Sequence, residues 1–143
     1  MNIRPYSRPQ SKRAFAVIVL HALVFALAYW LAFGIRGGFA ISPQDWVTLW
    51  VTVPAVVIIQ LFIFDIAGHC HGPWHRVSIS DLISLFQAAT VSLLLIVALD
   101  LLLMRGHHVP RGVLLLDWGI IILLLGELRI GWMIYCRRFR LVN

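Results

Sequence analysis

Four long apolar blocks constrain this chain more than any other feature. Ala14 to Phe33, Trp46 to Phe64 and Leu82 to Leu99 contain no Asp, Glu, Lys or Arg, and Gly112 to Ile134 is broken only by Asp117, Glu127 and Arg129. About 20 apolar residues in a helix cross a hydrocarbon layer roughly 30 Å thick, and each block reaches that length. Only 13% of the 143 residues are charged against 61% hydrophobic, with a mean hydropathy of +0.89. A soluble domain carries about 25% charged residues, so this chain has too few to cover a water-facing surface. The blocks are continuous rather than alternating, which argues for helices rather than a barrel of strands. The first block outruns the 7–15 apolar residues of a signal-peptide core and three more follow it. The expected fold is an all-α membrane protein, a four-helix transmembrane bundle in one membrane domain (1–143). Its spans fall at about 14–33, 46–66, 82–104 and 112–135, and a hairpin over 67–81 joins the second to the third.

Basic residues set the expected orientation. Arg4, Arg8, Lys12 and Arg13 precede the first span, Arg76 follows the second, and Arg137, Arg138 and Arg140 follow the fourth; the opposite side has Arg36, Arg105 and Arg111. That bias puts both termini in the cytoplasm. It also accounts for most of the formal charge of +6 as a topology signal, with the lipid bilayer as partner and no nucleic acid implied.

Helix boundaries are written locally. Ser42-Pro43-Gln44-Asp45 offers a cap, a proline at the first helical position and an acidic residue three after the cap. Ser78 to Asp81 repeats the S-x-x-D pattern, and Val109-Pro110-Arg111-Gly112 opens the fourth helix. Pro54 sits inside the second block, where it removes one amide donor from the helical ladder.

Several residues raise questions of chemistry. His69, Cys70, His71 and His75 crowd the loop after the second span, but Gly72 and Pro73 interrupt them and four paired ligands, as zinc wants, are not assembled. Metal binding is therefore not expected, and these histidines read as part of a cytoplasmic hairpin that packs Trp74 at headgroup level. Cys70 and Cys136 would both face a reducing compartment. His21 alone lies well inside a span, reads as a satisfied interior histidine, and has no second intramembrane histidine for haem. Glu127 and Arg129 form the one candidate intramembrane polar site; two residues apart on a helix, they do not face each other. Arg129 is expected to snorkel to the interface, and Glu127 is the residue a small transporter would use. Trp30, Trp46, Trp50, Trp74, Trp118 and Trp132 suit the aromatic belts of a bilayer.

The segment carrying Gly68, Gly72, Trp74, Ser78, Asp81 and Leu82 resembles the G-x-x-x-G-x-W-x-x-x-S-x-x-D-L pattern of membrane-bound nucleotide-sugar dehydratases and epimerases of bacterial polysaccharide biosynthesis (CapD-like and WbpM-like proteins). Val109 to Arg138, with Pro110, Arg111, Asp117, Trp118 and Arg129, is similar to that family's last span. LAFGIR, ending at Arg36, is similar to its first-helix exit, whereas His21 stands where the family's first helix often has an aspartate. The resemblance implies the N-terminal membrane part of such an enzyme in a bacterial inner membrane. The family's NAD(P)-binding Rossmann domain has no counterpart here: no glycine-rich nucleotide turn follows a strand, so no catalytic residue and no cofactor is assigned to this chain. It reads as a detached anchor, a fragment or split subunit, whose partners would be a catalytic nucleotide-sugar-modifying subunit and polyprenyl-linked sugar. The membrane part of a polyprenyl-phosphate sugar-1-phosphate transferase, or a free-standing transporter, is the alternative.

Overall fold

The computed structural model describes residues 9–69, 78–103 and 109–142. They form four helices, α1 (Pro9–Arg36), α2 (Pro43–Ile66), α3 (Ile79–Leu103) and α4 (Arg111–Val142). Each packs on its neighbours in a closed ring, α1 on α2, α2 on α3, α3 on α4 and α4 on α1, and the diagonal pairs do not touch through their backbones. This is the antiparallel up-down arrangement that short connections between helices impose.

Helices form where the apolar blocks predict them, but α1 begins earlier and α4 runs later than the blocks do. Hydropathy reports the stretch fit for hydrocarbon; a helix continues through Lys12, Arg13, Arg137 and Arg138 because long straight side chains are good helix formers. α1 over Lys12–Arg36, α2 and α3 are long and apolar enough to cross a membrane. The expectation of four such helices holds for three, since Asp117, Glu127 and Arg129 interrupt α4.

The ends are set by local chemistry. Ser42 caps α2, its hydroxyl accepting from the Asp45 amide at 3.2 Å. At α3, the Ser78 amide donates to Asp81 Oδ2 at 3.0 Å and the Asp81 amide to Ser78 Oγ at 3.4 Å, a reciprocal capping box. α2 closes with Gly68 at φ 80°. The His69 amide reaches back to the Phe64 carbonyl at 3.0 Å and the Gly68 amide to Asp65 at 2.9 Å. That is a Schellman turn, in which the left-handed residue is nearly strain-free only as glycine. It folds His69 back over Phe64, with ring centroids 5.6 Å apart.

Burial is inverted relative to a water-soluble bundle. The outer wall carries exposed Leu23, Leu27, Ile58, Phe62, Leu94, Leu115 and Leu123, while His21, Thr52, Gln60, His69, Ser92, Asp100 and Asp117 are buried. An apolar wall around a polar-spotted interior is what a bilayer solvent selects, because lipid offers polar groups no partners. The core has two apolar halves. Tyr29, Phe33, Leu49, Val56, Ile96, Val113 and Leu114 fill the half near the α1–α2 turn. Phe25, Phe64, Leu85, Ala88, Ala89, Ile121 and Leu125 fill the half towards the termini.

Candidate functional site

The buried polar side chains fall into layers along the bundle axis, and each layer joins helices. At the end that carries the α1–α2 turn, the Val109 amide donates to Asp100 Oδ1 at 3.2 Å, fastening the end of α3 to the entry of α4. One layer in, Tyr29 and Thr52 meet at 2.7 Å. Thr52 has a single hydroxyl proton, and it points at the Thr48 carbonyl 2.6 Å away. Tyr29 is therefore the donor and Thr52 Oγ1 the acceptor.

Between the two apolar halves, Gln60 Nε2 of α2 donates to Asp117 Oδ2 of α4 at 2.7 Å. The pair spans the diagonal of the ring, which the backbones leave too wide to touch. Both residues are almost wholly buried, and among the described residues Gln60 Oε1 and Asp117 Oδ1 have no hydrogen-bond partner.

The layer nearest the termini draws on α1, α3, α4 and the turn that closes α2. Arg129 of α4 donates to His69 Nδ1 at 2.6 Å, and Ser84 of α3 lies 3.3 Å from His69 Nε2. A guanidinium only donates, so Nδ1 accepts, the ring is neutral, and its proton sits on Nε2 facing the Ser84 hydroxyl. Burial pushes the His69 pKa below the usual imidazole value, and the Arg129 charge beside it pushes the same way. His21 of α1 completes the layer: its Nδ1 donates to the Val17 carbonyl at 2.8 Å, and the field of Arg129 reaches it. Phe25 and Phe64, 5.0 Å apart, floor this layer.

Three residues gain partners that their sequence positions did not name. The Schellman turn at Gly68 folds His69 against the bundle, to 5% exposure. Arg129 reaches His69, just beyond the end of α2, which accepts from its guanidinium. Trp118 is half-buried between α3 and α4, its Nε1 3.3 Å from Thr90 Oγ1 and its ring edge-on to Phe86. Trp30, Trp46, Trp50 and Trp132 are exposed as an aromatic belt requires. Glu127 is exposed on the outer side of α4, in a shallow groove with Leu124, Leu128, Gly131, Trp132 and Tyr135, so it and Arg129 do not share a site. Ser78 and Asp81 serve as caps, and Pro110 and Arg111 open α4. Gly72, Trp74, Cys70, His71 and His75 lie outside the described residues.

Tyr29, Thr52, Gln60, Ser84 and Asp100 were not singled out from the sequence. A usable signal existed for Gln60, the one amide side chain within the uncharged run Trp46 to Phe64. Comparison with protein-family models, curated proteins and solved structures finds no match.

Proposed function

We propose that this chain is a non-catalytic membrane anchor. In this reading α4 is a fourth crossing, both termini are cytoplasmic, and the bundle sits in a bacterial inner membrane. It holds a nucleotide-sugar-modifying enzyme, an NAD(P)-dependent dehydratase or epimerase, beside lipid-linked sugar. One observation carries it: bonds from Tyr29 to Thr52, Gln60 to Asp117, Val109 to Asp100 and Arg129 to His69 tie the helices and their connections to one another, as rigid anchoring needs. The wall around them is apolar. Lys12 and Arg13 on α1 and Arg137, Arg138 and Arg140 on α4 are exposed at the end that carries the termini. That cluster suits an anionic cytoplasmic leaflet. A transporter built on Glu127 gains no support, since that carboxylate faces away from the bundle.

Deleting the chain from its native host and fractionating the cells tests the anchor. The nucleotide-sugar dehydratase or epimerase moves from membrane to soluble fraction and co-purifies with tagged chain in mild detergent. If that activity stays where it was, the reading fails; a sugar-1-phosphate transferase in the eluate instead assigns the anchor to that enzyme class. Blotting native cells for the N-terminal arm shows whether anchor and enzyme share one polypeptide, since a shared chain runs well above 16.2 kDa.

A further inference from the structure

The Gln60–Asp117 pair contains more acceptors than donors can fill. Gln60 is 1% exposed and Asp117 3%. Among the described residues the one hydrogen bond to Asp117 comes from Gln60 Nε2, leaving Gln60 Oε1 and Asp117 Oδ1 orphaned together. A buried polar atom without a partner is costly, and an isolated buried carboxylate far more so. One proton removes the larger part of that cost. Placed on Asp117, it abolishes the buried charge and turns one of two acceptor oxygens into a donor, while the bond from Gln60 Nε2 stays in place. The conclusion does not depend on which way the amide is drawn. If its oxygen and nitrogen are exchanged, Gln60 Oε1 lies 2.7 Å from Asp117 Oδ2, a contact between two acceptors that itself demands a proton.

We propose that the middle of the bundle is a proton-binding site, in which Asp117 is held as the un-ionised acid paired with the Gln60 amide. The proton comes from water on folding and is released to water on unfolding; nothing else is exchanged. Charged and titratable groups in the flanking layers are Tyr29 on α1 and Asp100 on α3 towards the α1–α2 turn, and His21 on α1, Arg129 on α4 and His69 beyond α2 towards the termini. α2 contributes only the amide at this level. Tyr29 is already bonded to Thr52, and Arg129 to His69. With its two halves joined by a neutral pair, the interior has no net charge at its midpoint and α2 is tied to α4 across the diagonal.

Infrared spectroscopy of the purified chain in lipid, at neutral pH, tests this directly. The wild type shows the C=O stretch of an un-ionised carboxyl, downshifted by deuterium exchange and missing from Asp117→Asn. If the wild type lacks that band and carries only carboxylate stretches, the proposal falls. The asparagine variant imitates the neutral acid and keeps an amide facing Gln60, so it folds with an unchanged or higher Tm. At neutral pH its folding takes up about one proton fewer than the wild type, read from the difference in the pH dependence of the two Tm values. Equal pH dependence overturns the assignment. So does a wild-type Tm that rises with sodium chloride but not choline chloride, which would make the site one for a metal cation.

Discussion

Arg129 of α4 and His69, just beyond the end of α2, are joined at 2.6 Å across the diagonal of the bundle, with the arginine donating and the imidazole accepting. Sixty residues separate them in sequence, and both are held by something local. Gly68 turns His69 inward, while the phase of α4 points Arg129 to the same layer.

Removing either partner therefore loosens the end of the bundle that carries the termini. Arg129→Ala should cost about 1–2 kcal/mol, the range for a hydrogen bond to a charged group moderated by a membrane setting. Gly68→Ala should produce part of the same loss by straining the turn at φ 80°. Thermal unfolding in detergent, followed by circular dichroism, reads both; wild-type melting in each would discount the Arg129–His69 link.

Acid should weaken this layer. His69 holds a folded pKa below the ordinary value of 6.5, whereas the unfolded residue titrates near about 6.5. Above that pH neither state binds the proton and the stability of the neutral ring is fully present. As pH falls from there towards the folded value, the unfolded chain binds a proton that the folded chain refuses, and stability drops. Replacing His69 by Gln, which can accept from Arg129 and donate to Ser84, should flatten that part of the Tm-versus-pH curve. An unchanged curve would assign the acid sensitivity to other histidines.

The direction of the Tyr29–Thr52 bond predicts an asymmetry. Tyr29→Phe deletes a donor and leaves Thr52 bonded to the Thr48 carbonyl, costing about 0.5–1 kcal/mol. Thr52→Val instead strands a buried phenol hydroxyl, 0% exposed at Tyr29, and should cost about 1–3 kcal/mol. Combining the two changes should recover part of the Thr52→Val loss. A double variant as unstable as the sum of the singles contradicts the assigned direction.

Glu127 offers the opposite case. Exposed on the outer side of α4, it should tolerate replacement by Gln with a Tm equal to or above that of the wild type. A clear fall in Tm would mean that the carboxylate is engaged in the assembled membrane protein.

Orientation can be checked independently. Reporter fusions at residue 142 and at the N-terminus should both be active only as cytoplasmic reporters, and a fusion in the turn after Arg36 only as an external one. Termini on opposite sides would remove α4 from the set of crossings, and both termini outside would reverse the orientation.

Class and helix order were legible in the sequence because each follows from short-range physics. Uncharged runs long enough for hydrocarbon specify membrane helices, and Ser42 and Ser78 with Asp81 start helices through atoms three residues apart. Asp117 was legible as a motif residue, but its partner was not. Gln60 lies 57 positions away, and nothing local says which face of α2 meets α4. The same limit explains His69 and Trp118. A histidine beside glycines and a tryptophan near a helix start name no partner until the rotation of each helix is known. The sequence by itself determined that this chain forms apolar helices and roughly where they begin and end, since lipid solvation and backbone hydrogen bonding act residue by residue. Only the tertiary structure decided which polar groups face one another, because that depends on the mutual rotation of four helices, which no single stretch encodes.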